Sequence, residues 1–363
     1  MMKFFLSKAP YFQLLLGFFI GLNAAAEDGQ SPDPGSFKQE AFVTAKRSST
    51  MIVPNPIRNM GTAVWSYLVF MTDPSGSPYD ISLFGSSKNE KFNRASLKRL
   101  SESSFEPALH EGVPVHSMGS IGWSWQNPSN SDKTLSKRFK RYFPLFLQSY
   151  DEDNQKRSAE LIANMQKEPA ASLLQLNMTS FALGSFDLKW GNSYDALNHF
   201  DDALAWTSKD EVSDSDLPEM LLKTTLLNLY QLEFNARLFQ NALQTHELME
   251  GRIGQDILRS LKPYQKEIER LKKEGKPYSI DYSSNKSKTL THVPLRTKLR
   301  LANIIGPAPK TRIHCDIAFI EIETPQLSQG FALPLDRGNC AIRLDVREGT
   351  SFSIIESVKK SST

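Results

Sequence analysis

The hydrophobic period of this chain switches twice, and this switching limits its fold more than any other feature. Residues 64–126 hold runs of period two around one short helical stretch, residues 136–273 follow a helical period, and residues 293–355 return to period two. Strand side chains alternate between two faces, whereas a helix face repeats every three to four residues. Neither a single sheet nor a single bundle satisfies both. The chain therefore reads as an α+β multidomain protein with β, α and β parts in that order.

In the first part, an alternating run from Ser66 to Phe70 leads to Asp73, Pro74, Ser75 and Gly76, and a second extended run covers residues 79–87. Pro presets one turn dihedral and Gly accepts a positive one, so the two runs are expected to form a hairpin. Phe92, Ala95, Leu97 and Leu100 then mark a short amphipathic helix, and a last strand is expected over residues 113–126. The expected order is ββαβ.

These residues resemble the C-terminal domain of TonB-type energy transducers. The likeness rests on the run ending in Phe70, the turn from Asp73 to Gly76, Ser86 and Ser87, Ala95 and Leu97, and then Phe105, Pro107, Ala108, Gly112 and Pro114. Where that family has Tyr-Pro ahead of its first strand, this chain has Asn55 and Pro56. The resemblance implies a TonB-like domain over residues 46–130. It also implies an edge strand, to which a receptor peptide adds as a further strand. The matching positions are Val115, Ser117, Gly119, Ile121, Trp123 and Trp125, with the last three on one face. That both tryptophans instead pack inward on the helix is an equal alternative.

Residues 1–26 have the layout of a signal peptide, with Lys3 and Lys8 ahead of an apolar run and small residues up to Ala26 before Glu27. The apolar run is shorter than the about 20 residues of a spanning helix. Cleavage between Ala26 and Glu27 and a periplasmic location are expected, with residues 27–45 as a flexible leader. The alternative is an uncleaved anchor holding the chain in the inner membrane, facing the periplasm, as energy transducers of the family are held. Such transducers also carry a long Pro-rich periplasmic segment, for which this chain offers only Pro32 and Pro34.

The helical part, residues 131–276, shows apolar faces such as Phe139, Phe143 and Phe146. Within it Leu183, Gly184, Gly191, Ala196, Phe200, Ala203 and Leu204 fall near the spacings of the tetratricopeptide repeat, whose period is about 34 residues. A tetratricopeptide-like solenoid is expected, with an ordinary helical bundle as the alternative. Pro263 is expected to kink or restart the last helix.

Residues 277–290 read as a linker and residues 291–363 as a small antiparallel β domain of about five strands. Both cysteines, Cys315 and Cys340, lie in this domain, and in an exported chain an even pair points to a disulfide. Closing that loop is expected to stabilise by roughly 3 kcal/mol.

Residues able to carry chemistry are sparse. The six histidines show no metal-ligand spacing, and no phosphate loop or nucleophile elbow occurs. Neither a cofactor, a metal nor a small-molecule substrate is indicated. A formal net charge of +3 is too small to indicate nucleic acid. Asp201 and Asp202 read as solvated charge on a helix. The expected function is a non-enzymatic periplasmic adaptor that binds envelope proteins, an outer-membrane TonB-dependent receptor among them, by strand addition and by the groove of the helical repeats. The alternatives are a membrane-anchored TonB-family energy transducer and, from a different class, an envelope hydrolase using His110 or His116.

Overall fold

Strand β1 (Val64–Thr72) pairs antiparallel with β2 (Pro78–Ser86) on one side and β5 (Ser117–Trp125) on the other, giving a three-stranded sheet in the order β2-β1-β5. The computed structural model describes residues 62–125, 134–167, 169–205, 217–284 and 287–358. All belong to one compact unit, Phe42–Thr363. The expected signal peptide, its expected cleavage position at Ala26 and Glu27, and the expected leader over 27–45 lie outside the described residues.

The β1–β2 turn forms as its residues dictate. The Asp73 Oδ1 accepts the backbone N–H groups of Ser75 and Ser77, both at 2.9 Å, and Gly76 takes φ +84°. Any side chain at Gly76 would collide with the Phe105 carbonyl. Helix α1 (Glu90–Ser101) starts where the Asn89 side chain caps the Phe92 N–H at 3.0 Å. Leu68, Phe70, Phe92, Leu100, Phe105 and Trp123 form the core between sheet and helix. Two short strands, β3 (Ala108–His110) and β4 (Val113–Val115), make a separate hairpin, so the strand expected over 113–126 is divided at His116.

Eight helices follow: α2 (Lys137–Asp151), α3 (Gln155–Gln166), α4 (Leu173–Trp190), α5 (Ser193–Ala203), α6 (Glu219–Asn235), α7 (Phe239–Met249), α8 (Gln255–Ser260) and α9 (Lys262–Lys273). From α2 to α7 the closest packing is between sequence neighbours, with α4 against α5 the most extensive. Gly184 explains that closeness, because a Cβ there would stand 2.8 Å from the Phe200 ring. Phe200, Ala196 and Ala203 are fully buried at the same contact. Pro263 lies in the first turn of α9, so it restarts the helix after α8.

The remainder is a β-sandwich of two four-stranded sheets, ordered β10-β9-β12-β7 and β11-β8-β13-β6. Its strands are β6 (Tyr278–Ser283), β7 (Lys288–His292), β8 (Lys298–Ile305), β9 (Lys310–Cys315), β10 (Ala318–Ile322), β11 (Phe331–Ala332), β12 (Cys340–Val346) and β13 (Ser351–Ser357), with α10 (Thr324–Gln329) between β10 and β11. Two strands, β6 and β7, thus occupy the stretch 277–290 read as a linker. Both sheets contribute to the core through Leu299, Leu301, Ile313, Ile342, Leu344 and Ile354. The disulfide joins Cys315 and Cys340, directly opposed on β9 and β12.

Arg296 ties the sandwich to the helices. Its guanidinium donates to the carbonyls of Leu271, in the last turn of α9, and of Lys276, while its backbone N–H donates to the Glu356 carboxylate at 2.8 Å. The other Glu356 oxygen meets His292 Nε2 at 2.7 Å. Buried charges of this kind persist only when every member is paired. Trp65, from the first sheet, packs against Leu173 of α4.

Candidate edge-strand interface and interdomain clamp

Among the described residues strand β5 pairs in its sheet only with β1, so its far side is an edge there. The register runs without a break from Val64 opposite Trp125 to Thr72 opposite Ser117. The Met118 N–H points away from β1 and donates to the Asp316 carbonyl at 3.2 Å. Backbone direction alternates along an antiparallel strand, so Ser120, Gly122 and Ser124 also present their N–H and C=O groups outward. Among the described residues nothing pairs with those outward groups. The sandwich thus takes the leading end of the edge and leaves the trailing half open.

The residues predicted for the interface divide between several roles. Val115 belongs to the β3–β4 hairpin and is not part of the edge. The Ser117 hydroxyl is 2.6 Å from that of Thr72. Gly119 lets the Phe70 ring lie against the strand, since a Cβ there would come within 2.7 Å of it. Trp123 is 7% exposed and sits in the core beneath the helix, with Ile121 and Trp125 packed against it. These odd-numbered side chains face inward, and only their strand, not their rings, is offered to a partner. On the opposite face Tyr67 and Phe84 are exposed with rings 6.0 Å apart, and the Tyr67 hydroxyl donates to Ser120 Oγ at 2.8 Å.

Sequence reasoning missed a second cluster. Asp80 sits on a β-bulge, where Asp80 and Ile81 together oppose Phe70, and it holds φ +46°. From there its carboxylate reaches the outer face of the β9–β12 sheet. One oxygen meets His314 Nε2 at 2.5 Å and the other accepts from Arg312, which also pairs with Asp345. Arg343, directly opposite Arg312 on β12, is 2% exposed, and its Nε and Nη1 have no hydrogen-bond partner among the described residues.

Burial holds the His314 imidazole below its ordinary pKa, and the neighbouring Arg343 and Arg312 add to this while Asp80 opposes it. Burial works against ionisation of Asp80, but the His314 hydrogen bond and the Arg312 charge outweigh it and keep the carboxyl below its usual range. The His314 side chain is 1% exposed, which closes it to a substrate arriving from solvent, so the pair acts as a clamp between two sheets. The partners lie 234 residues apart in sequence, and no local signal connects them.

His110 and His116 are both exposed, and His116 Nδ1 pairs with the Tyr79 hydroxyl at 2.9 Å. Among the described residues no group of His, Cys, Asp and Glu could hold a metal ion. No described helix is long and apolar enough to cross a membrane. Of the expected solvated pair, Asp201 is exposed and Asp202 is half-buried. Burial, with the neighbouring Asp201 charge, pushes the Asp202 carboxyl up to about 7. No protein-family model matches this chain, and no curated protein matches it.

Proposed function

We propose that this protein is a non-enzymatic periplasmic adaptor with a TonB-like first domain, which binds an extended segment of an envelope protein along the trailing half of β5. The observation that carries the reading is the row of backbone groups at Ser120, Gly122 and Ser124, unpaired among the described residues. A strand added there gains main-chain hydrogen bonds, and its alternate side chains lie beside Ser120 on the exposed face, where the Tyr67 hydroxyl reaches across β5. The order of strands and helix around the Asp73–Gly76 turn supports the TonB-like assignment, and an outer-membrane receptor segment is the corresponding partner. The Gly184–Phe200 contact and the packing of helices on their sequence neighbours support a tetratricopeptide-like array, whose groove would hold a second protein.

Extended peptides selected against the full chain test this. A bound peptide should slow hydrogen exchange at Ser120, Gly122 and Ser124, and Gly122→Pro should weaken it at least tenfold while the fold is kept. Protection confined to other amides, or full affinity in the folded Gly122→Pro protein, would overturn the assignment. N-terminal sequencing of protein from fractionated cells tests the location: a soluble chain starting at Glu27 agrees with an adaptor, and an intact N-terminus in the inner membrane agrees with a transducer.

A further inference from the structure

We propose that the groove on the outer face of the β11-β8-β13-β6 sheet binds a small multivalent anion, one bearing phosphate or carboxylate groups. The groove has a volume of about 460 Å³, in the range of small-molecule sites, and Lys298, Arg300, Ser279, Ser357 and Gln329 bring polar groups to it. No lining residue is acidic. Lys298 and Arg300 have no ion-pair partner among the described residues. They stand two positions apart on β8 and face the same side, about 6–7 Å from each other along the strand.

The strand register builds the site. Lys298 lies opposite Ser357 and Arg300 opposite Ile355, and Ile355 lies opposite Ser279 on β6. Two cations, two hydroxyls and one apolar side chain therefore share one patch of sheet. Gly330, at φ +104°, lets the Lys298 stem cross its backbone, since a Cβ there would come 3.2 Å from the Lys298 Cε. At the free edge of β6, Arg237 in the turn between α6 and α7 donates to the Ser279 carbonyl at 3.1 Å and holds that strand in place. A chelating anion would span Lys298 and Arg300, with the serine hydroxyls donating to its remaining oxygens and Ile355 beneath its carbon frame.

Calorimetric titration of the full chain with inorganic phosphate and, separately, malonate distinguishes the phosphoryl from the carboxylate source, each in chloride buffer of matched ionic strength. One saturable site for either anion is expected, weakened at least tenfold in Lys298→Gln/Arg300→Gln and severalfold in each single variant. Both residues are exposed, so the variants should melt like the parent. No saturable binding of either anion, or equal affinity in the double variant, would overturn the proposal. The strand-addition reading stands or falls separately, because β5 contributes nothing to this groove.

Discussion

The Met118 N–H and the Asp316 carbonyl, 3.2 Å apart, join the edge of the first sheet to the turn after β9. This single bond fixes the orientation of every other backbone group on β5. It places the N–H of Gly122 outward and that of Ile121 toward β1.

Two proline variants check that orientation. Gly122→Pro removes a donor that has no partner in the sheet, so its stability in urea should stay within about 1 kcal/mol of the parent. Ile121→Pro removes a ladder bond and crowds β1, and should cost about 3 kcal/mol or more. The reverse ranking would mean that the two faces of the strand had been exchanged.

Gly184→Ala tests the tightest helix contact. The added methyl would meet the fully buried Phe200 ring at 2.8 Å. Alanine favours the helix by up to about 1 kcal/mol, whereas forcing a group into a filled core costs about 1–3 kcal/mol. A net loss of stability is expected, and Phe200→Leu in the same chain should recover part of it. A stabilised Gly184→Ala protein would show that the two helices are free to move apart.

What the sequence made legible was local. The hairpin turn could be read because Asp73, Pro74 and Gly76 each carry their own conformational preference, and Gly184 with Phe200 because the two fall on a familiar helical spacing. Strand β6 was passed over although Tyr278, Ile280 and Tyr282 alternate, because Gly275 and Pro277 before them resemble the start of a linker. The inward turn of Trp123 could not be chosen from alternation alone, since alternation fixes which residues share a face but not which face is covered. Asp80 and His314 meet only after two separate sheets have formed, and the bulge that aims Asp80 has no residue signature.

That clamp should make stability fall on acidification. His314 holds fewer protons in the folded chain than in the unfolded one, so stability is full above the ordinary imidazole pKa, near 6.5, and declines as pH drops below it. Asp80, also held low, adds a second decline nearer pH 4. In His314→Gln, where no group titrates, the first decline should be shallower in urea melts between pH 7 and 5. Asp80→Ala leaves Arg312 and Arg343 with Asp345 as their remaining counter-charge and should cost about 3 kcal/mol, the low end for breaking a buried pair. An unchanged slope in His314→Gln would assign the acid sensitivity to another group.

Glu233 should produce the opposite trend. It is 5% exposed on α6, accepts from the Thr245 hydroxyl at 2.7 Å, and is pushed up to about 8 by burial, with a smaller contribution from Asp201. A carboxyl raised this way favours the folded chain while protonated, so its contribution is complete below its ordinary pKa and is lost as pH rises toward about 8. Glu233→Gln keeps an oxygen for Thr245 and cannot ionise. It should therefore match the parent near pH 5 and exceed it by about 1–3 kcal/mol at pH 9, in the range for burying an unpaired polar group. Equal stability of the two proteins at pH 9 would mean that the helices open locally to hydrate Glu233, and hydrogen exchange at α6 and α7 would then rise with pH in the parent alone.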